Sequence, residues 1–434
     1  MKGWSKRVTL MAANMLLVAG AAGCSNSAST NGAQGVVQLT YWNMWSGHWE
    51  DVVKSLVDQF NKTHPHIHVN VLSIPTDGET KLLTAIVAGD PPDVFTEWSP
   101  YIGQFADKDA LMPLNQFMTG KYKDVLNWLY PVAANWGTYK GKLYGLPWTM
   151  NSLMLYYNKD LMKQAGLNPN DPPKTIQQLD ADQAKMWKMS KKGAVQQIGF
   201  YPNNYEQWMP TWNVNVFQNG QYQMENNPQA LSLMQWISSY SKYPYDQVSG
   251  YLQTFTTNSV DPFSMGKEGF YINGMWEIPT IQQYNPKMNY GVVPLPAPPG
   301  GNSDVTWING NYNEIPKGAK HPQQAWEFIT WLSGYDNEAW AAKSDPQGGW
   351  IPPSPKVTAE PAYQKWLNQN PLRKPFVNLM LNPKDGITPV TPVTQLFSQN
   401  LSDAVNYVLQ GQKSAKAALA SVQQTSNQAL KTQG

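Results

Sequence analysis

The alternation of apolar and polar positions predicts a strand–helix–strand unit near the start of the folded chain. Residues 36–42 form a predicted strand, and apolar positions alternate again in a second one at 67–71. Between them, apolar side chains recur at the spacing of one helix face. Such a unit implies a parallel sheet, and ligands bind beyond the carboxyl ends of its strands. Asn43 and Trp45 are therefore candidate binding residues.

The stretch 141–160 predicts two strands joined by a crossing. The first strand is expected to stop at Pro147, which has no N–H to donate. The continuous apolar run at 153–157 is typical of a strand buried on both faces. Between the two strands the chain carries Trp148, which is expected to be exposed, and Asn151. An aromatic ring and an amide on a crossing suggest a cleft between two lobes.

Further candidates follow predicted strands or share a predicted helix face. Glu97 and Trp98 lie just past the end of a predicted strand and are expected near the cleft. Tyr205, Trp208 and Trp212 would share one face of a helix. That face could bind a ligand or could pack in the core, and the pattern leaves both alternatives open.

Three polar residues are predicted to have structural roles. Asn158 and Thr175 precede apolar-periodic segments and are expected to act as helix N-caps. Asp93 follows two prolines in a loop and is expected to brace it.

The composition narrows the class of protein. A chain of 434 residues is long enough for two domains with a large core. The net charge of +2 argues against a nucleic-acid partner. Charged residues are 14% of the chain, against about 25% in typical domains. The 19 Trp and 22 Tyr could be extra packing, or they could line a site that stacks on apolar ring faces.

The N-terminus predicts export and lipid anchoring. Basic residues at the start precede an apolar run at 8–19, which is shorter than a bilayer span of about 20 residues and is typical of a signal peptide covering 1–23. Small residues then precede Cys24, the only cysteine of the chain. This arrangement resembles a bacterial lipobox, with Cys24 as the lipidated residue. Residues 24–35 are small and polar and are expected to form a flexible tether.

Several motifs carry a family resemblance. The stretch 141–160 reads GKLYGLPWTMNSLMLYYNKD, residues 289–296 read NYGVVPLP, and residues 315–328 read IPKGAKHPQQAWEF. Together they resemble family 1 extracellular solute-binding proteins of ABC importers, the relatives of maltose-binding protein. The resemblance covers about residues 39–355. It implies an α/β, two-lobed periplasmic-binding-protein-like fold of type II. Each lobe would be a mixed, mostly parallel sheet flanked by helices, with the ligand cleft between the lobes.

The resemblance also implies lobe boundaries and further site residues. Lobe 1 would comprise residues 36–150 and 310–350, and lobe 2 residues 151–309 and 351–434. The second-lobe and crossover candidates for ligand contact are Trp276, Glu277, Asn309, Asn311 and Trp350. Trp276 stands where the family places a stacking tryptophan.

The function that the resemblance implies is binding of a carbohydrate, specifically an oligosaccharide, by closure of the lobes. The partners would be this sugar and the membrane-bound permease subunits of an ABC transporter. The protein is expected to be a monomer with no cofactor and no catalytic activity. It would be extracytoplasmic and would touch the membrane only through its lipid anchor.

Alternative functions have weaker support in the sequence. His64, His66 and His68 alternate on one strand face and could suggest a metal site, but no carboxylate is near in sequence. A glycoside hydrolase needs two facing carboxylates, which Glu97 and Glu277 could supply. A non-sugar solute is also compatible with the fold. The chain has only two arginines, at positions 7 and 373, which disfavours anionic ligands held by guanidinium groups.

Overall fold

The structure is a computed structural model that describes residues 35–256, 260–382 and 384–433. The predicted signal peptide, Cys24 and the tether up to residue 34 lie outside the described residues. No helix within the described ranges combines the length and the apolar character needed to cross a bilayer.

The strands form one large sheet, one small sheet and several two-stranded ribbons. Their bounds are β1 (Val37–Asn43), β2 (Ile67–Ser73), β3 (Val94–Trp98), β4 (Thr138–Tyr139), β5 (Lys142–Leu143), β6 (Gly145–Ser152), β7 (Met154–Asn158), β8 (Lys188–Met189), β9 (Val195–Gln197), β10 (Phe217–Gln218), β11 (Gln221–Tyr222), β12 (Phe270–Asn273), β13 (Tyr290–Val293) and β14 (Ile308–Glu314). The large sheet has the order β2-β1-β3-β14-β6, and the small sheet has the order β12-β7-β13.

Helices surround both sheets. Their bounds are α1 (His48–Thr63), α2 (Gly78–Val87), α3 (Ile102–Asp107), α4 (Val125–Trp128), α5 (Pro131–Gly137), α6 (Lys159–Gln164), α7 (Ile176–Met186), α8 (Pro228–Ser238), α9 (Tyr245–Thr256), α10 (Glu277–Tyr284), α11 (Pro322–Leu332), α12 (Glu338–Gly348), α13 (Pro355–Ala359), α14 (Pro361–Gln369), α15 (Lys374–Leu379), α16 (Thr394–Leu409) and α17 (Ala415–Gln433).

The large sheet begins with the predicted strand–helix–strand unit. β1 pairs in parallel with β2 and with β3, and α1 buries the apolar face that its periodicity predicts. Asp93 braces the entry to β3, as predicted: its carboxylate accepts hydrogen bonds from the backbone N–H groups of Thr40 and His321 at 2.9 and 3.0 Å.

The strand after Gly145 does not stop at Pro147. β6 continues to Ser152, antiparallel to β14, and a register shift accommodates the proline. Tyr312 pairs with Pro147 and Asn311 with Thr149, so Trp148 is the extra residue of a bulge. The expectation of an exposed Trp148 is wrong: the side chain is 1% exposed.

The small sheet corrects one expectation about strand direction. β7 lies at its centre, and both β12 and β13 pair with β7 in antiparallel orientation. The large sheet is mixed, as expected, but the description "mostly parallel" is wrong for the small sheet. Asn158 ends β7 and caps α6, accepting hydrogen bonds from two backbone N–H groups, and Thr175 forms a capping box at α7. Both predicted caps are confirmed.

The chain passes between the sheets twice. A single residue, Leu153, separates β6 of the large sheet from β7 of the small one, and β14 returns the chain to the large sheet. After β14, α13 and α14 pack against α12, whereas α16 and α17 pack against α8. The exact lobe boundaries stay a prediction.

Candidate ligand site

The end of β1 positions the first two candidates. Asn43 is the last residue of the strand and is fully buried. Its Oδ1 accepts the backbone N–H of Trp45 at 3.1 Å, and its Nδ2 donates to Leu72 O at 3.4 Å. The Ser73 hydroxyl donates to Trp45 O. Asn43 therefore holds the turn that presents the half-buried Trp45.

Trp45, Trp148 and Trp350 form a tryptophan triad. The ring centroids of Trp148 lie 5.0 Å from Trp45 and 5.1 Å from Trp350, both edge to face. Trp45 and Trp350 are 5.6 Å apart. Trp148 Nε1 is buried and has no acceptor among the described residues. The bulge in β6 brings Trp148 to this cluster, so residues from three distant segments meet. Trp148 and Trp350 are buried, and Trp45 is the half-buried member of the triad.

An amide layer runs along the crossing beside the triad. Asn151 Nδ2 donates to Asn309 Oδ1 at 3.0 Å, and the Thr149 hydroxyl donates to Asn311 Oδ1 at 2.9 Å. In each pair, the residue of β6 lies directly opposite its partner on β14. Asn311 Nδ2 also contacts Met44 Sδ at 3.1 Å. Aromatic rings and amides, the groups suited to a polyol, are thus adjacent at the crossing.

The structure separates Glu97 from Trp98. They are successive residues of β3 and point to opposite faces. Glu97 faces α2, where a Cβ added to Gly78 would lie 3.1 Å from its Oε2. Burial raises the pKa of Glu97 to about 7, and the charge of Glu79 adds to the effect. Trp98 instead packs edge to face with Trp307 at 6.2 Å, a contact that sequence reasoning missed.

A cavity of about 630 Å³ lies beside the small sheet. We call it the acidic cavity. Its wall is formed by residues of the segment 200–208, by the end of α9, by residues 260–262 and 268, by β12 and by the start of α10. Two sequence candidates belong to the wall, Glu277 and the fully buried Trp208. Sequence reasoning missed Tyr201, Asp261 and Glu268 in it.

Glu277 and Glu268 are the buried carboxyl groups of this cavity. Glu277 Oε2 accepts a hydrogen bond from Asn273 Nδ2 at 2.8 Å, while its Oε1 receives no N–H or O–H donor from the described residues. Burial raises the pKa of Glu277 to about 9, and the charge of Asp261 contributes. Burial, with the charges of Asp261 and Glu277, likewise holds the pKa of Glu268 well above its usual range. Glu277 is therefore protonated at neutral pH.

Trp276 stands immediately before α10, at the end of the small sheet. Its ring is partly exposed and lies over Gly274, where an added Cβ would be 1.9 Å from a ring carbon. Only glycine allows this close approach. The Tyr156 hydroxyl donates to Gly274 O at 2.7 Å and fixes the turn.

Tyr205, Trp208 and Trp212 do not share a helix face. The segment contains only the 3₁₀ turn Glu206–Trp208, and all three side chains are buried. The Tyr205 hydroxyl donates to Ala230 O at 2.9 Å, and Trp212 packs on Trp236 with centroids 5.0 Å apart. For Tyr205 and Trp212 the structure favours the packing alternative.

The three histidines do not converge either. His64 stacks on Phe60 with centroids 4.1 Å apart, and His66 Nε2 lies 3.1 Å from Glu327 Oε1. Within the described ranges, no group of three His, Cys, Asp or Glu side chains is arranged to hold a metal ion.

Curated relatives cover part or most of the chain. The maltotriose-binding protein of Pyrococcus abyssi is 23% identical over 314 residues, covering 67% of this chain and 61% of that protein. This chain thus spans less than two thirds of that relative. The multiple sugar-binding protein of Streptococcus mutans is 25% identical over 346 residues, covering 75% of this chain and 78% of that protein. The sn-glycerol-3-phosphate-binding protein of Yersinia enterocolitica is 28% identical over 205 residues, 45% of this chain and 44% of that protein.

Solved structures match nearly the whole chain. CpMnBP1 with mannotriose bound is 33% identical, with a TM-score of 0.79, and the match covers 90% of this chain and all of that one. The GacH receptor of Streptomyces glaucescens is 19% identical, with a TM-score of 0.74 over 91% of this chain and 99% of that one, and shares the fold. The architecture is therefore that of the two-lobed binding proteins. A family profile described as bacterial extracellular solute-binding protein matches residues 55–371. The chain belongs to the bacterial extracellular solute-binding proteins.

Proposed function

We propose that the protein is the extracytoplasmic binding component of an ABC importer and that its ligand is a carbohydrate, specifically an oligosaccharide. The observation that carries this proposal is the tryptophan triad beside the amide layer of Asn151, Asn309 and Asn311. Aromatic faces stack on the C–H surfaces of sugar rings. Amides replace the water bonds that sugar hydroxyls lose on burial.

Relatives support a sugar over an anionic solute. A structure 33% identical to this chain holds mannotriose, and one curated relative is a multiple sugar-binding protein. Another relative binds sn-glycerol 3-phosphate. Anionic ligands of that kind are suited to bidentate guanidinium groups. In the described residues the one arginine is Arg373, which is buried under Trp366 with its guanidinium carbon 5.1 Å from the ring centroid.

Binding would proceed by closure of lobe 1 (36–150 and 310–350) on lobe 2 (151–309 and 351–434). The crossing strands β6 and β14 connect the two sheets, so a rotation about their ends would bring the lobes together. Ligand contacts both lobes only in the closed form and thereby shifts the population toward it. The permease subunits would then recognise the closed form.

The remaining parts of the proposal concern the setting. Cys24 would carry the lipid that anchors an extracytoplasmic monomer to the cell membrane. We propose no catalytic activity. A glycoside hydrolase needs two carboxyl groups that face each other, one as acid and one as nucleophile. Glu97 contacts α2, whereas Glu277 lines the acidic cavity, and no contact of Glu97 in the described residues involves Glu277.

The test is a thermal-shift and calorimetric screen. The processed protein is titrated with mannobiose, mannotriose, maltotriose and sn-glycerol 3-phosphate. A ligand present at 100 times its dissociation constant stabilises the protein by about 2.7 kcal/mol. We expect a shift with at least one oligosaccharide and none with the phosphate. Binding of the phosphate alone, or new reducing ends after incubation with oligosaccharides, would overturn the proposal.

A further inference from the structure

The acidic cavity has an unusual charge pattern. Three carboxyl side chains, Asp261, Glu268 and Glu277, belong to its wall, and none of the described residues that line it is Lys, Arg or His. The Asp261 carboxylate accepts hydrogen bonds from Ser264 N and Ser264 Oγ at 2.7 and 2.8 Å, which fixes it on one side of the cavity. An anion entering this space would find no positive group to replace its water.

Two buried polar groups in the wall are incompletely satisfied. The Tyr201 hydroxyl makes no hydrogen bond within the described part of the chain, and Glu277 Oε1 receives no N–H or hydroxyl donor there, although Tyr201 is only 7% exposed and Glu277 only 2% exposed. A buried polar atom without a partner is costly, and most such atoms in folded proteins are satisfied. The Asp261 carboxyl is near enough to share the proton of Glu277, whereas the Tyr201 hydroxyl has no partner within the described part of the chain. A bound group that offers hydroxyls would satisfy both.

We propose that the acidic cavity is a subsite for an uncharged glycosyl unit, that Tyr201 and Glu277 are its direct hydrogen-bonding residues, and that glycans bearing carboxylate or phosphate groups are excluded from it. This inference rests on the proposed function and adds to it the charge class of the sugar.

The protonation of Glu277 explains why a neutral ring suits the cavity. With a pKa raised to about 9, the side chain presents an O–H donor as well as an acceptor at neutral pH. A cationic ligand would instead favour the ionised carboxyls. Anions meet the charge of Asp261, which contributes to the raised pKa of Glu277.

Several titratable groups face Glu277, so the pH test needs a variant that removes the titration of Glu277 alone. The carboxyls are Asp261 and Glu268, and the phenols are Tyr156, Tyr271 and Tyr290. The pKa of each of these phenols is raised from its ordinary value, chiefly by burial. Glu277, whose pKa is raised to about 9, titrates between pH 8 and pH 10, and Glu277→Gln removes that titration.

The experiment measures calorimetric affinity of the full-length protein for mannotriose, trimannuronate and a glucosamine trisaccharide from pH 6 to pH 10. Wild-type protein should bind mannotriose with constant affinity up to about pH 8 and lose about tenfold by pH 10, as Glu277 ionises. Glu277→Gln keeps a neutral donor and acceptor and should abolish that loss. Tyr201→Phe should weaken binding about three- to tenfold at every pH. Glu360→Gln, half-buried and outside the cavity, is the matched control and should behave as wild type.

Several outcomes would overturn the inference. One is trimannuronate binding within tenfold of mannotriose. Another is a glucosamine trisaccharide that binds more tightly than mannotriose at pH 6, where its amines are protonated. The third is unchanged mannotriose affinity in Tyr201→Phe together with a Glu277→Gln pH profile identical to that of the wild type. In each case a wild-type protein that still binds mannotriose would leave the proposed function intact. Absence of binding to every saccharide would refute the proposed function itself.

Discussion

Replacing Trp276 by alanine separates a ligand-stacking residue from a packing residue. The ring is partly exposed, rests on Gly274 and has no aromatic partner among the described residues. A fully buried tryptophan removes about 150–250 Å² from water. If Trp276 buries half of that, its truncation costs on the order of 2 kcal/mol at 25 cal/mol per Å². In a chain of this length the melting temperature should fall by only a few degrees.

The same substitution should also weaken ligand binding. A ring face that stacks on a sugar contributes contact area and dispersion that alanine cannot replace. We expect Trp276→Ala to weaken oligosaccharide binding by about 1–3 kcal/mol, which is roughly 5- to 150-fold in the dissociation constant.

Trp208→Ala is the matched comparison. Trp208 is fully buried, and its ring packs edge to face with Trp236 at 4.8 Å and with Trp212 at 5.7 Å. Its truncation leaves a cavity and should cost about 3–5 kcal/mol of stability. Calorimetry and thermal melting on both variants decide the matter. A Trp276→Ala protein that melts as early as Trp208→Ala, yet binds sugar with unaltered affinity, would refute the assignment of Trp276 to the ligand.

Three other predictions address anchoring, closure and pH. Cys24→Ser protein should be released from membranes or remain unprocessed; fractionation that finds it membrane-bound at the normal mature mass would contradict the anchor. Saturating oligosaccharide should reduce the radius of gyration in small-angle scattering, and an unchanged radius for a free form shown to be open would count against lobe closure. Because burial raises the pKa of Glu277 in the folded protein to about 9, from an ordinary value of 4.5, wild-type stability should fall as pH rises from about 4.5 to 9. Glu277→Gln should make the free energy of unfolding less dependent on pH and raise it by on the order of 3 kcal/mol at pH 7. Denaturant titration at several pH values measures this, and an equal pH dependence in the two proteins would exclude the explanation.

Local signals in the sequence predicted the elements whose stability is local. The β1–α1–β2 unit followed from two apolar periodicities, and α1 buries the residues that its spacing indicates. The N-caps at Asn158 and Thr175 followed from side chains that bond the backbone within three residues. Each of these features depends on neighbours in the chain, so a single sequence suffices to see them.

The features that the sequence did not predict depend on distant partners. Pro147 predicts the end of a strand because it lacks an N–H. A register shift against β14 instead accommodates the proline within β6, and Trp148 is buried. The acidic cavity combines Tyr201, Asp261 and Glu277 from three separate segments. Glu268 is buried in the same wall, and its place there follows from the fold.

The pairing of β6 with β14 also constrains how the lobes can move. The two crossing strands are hydrogen-bonded up to Ser152 and Ile308, and the Asn151–Asn309 contact joins them on one face. Rotation within this ladder would break backbone pairs and separate the amides that the proposed ligand needs. Just beyond the end of this ladder, a side chain makes the contacts between the two crossings. The Thr306 hydroxyl accepts a hydrogen bond from Leu153 N at 3.0 Å and donates one to Leu153 O at 2.8 Å. One side-chain hydroxyl can follow a change in backbone angle more easily than a ladder can. If the lobes close as proposed, the bend therefore belongs at Leu153 and Thr306, and the triad and amide layer move as one rigid part with the large sheet.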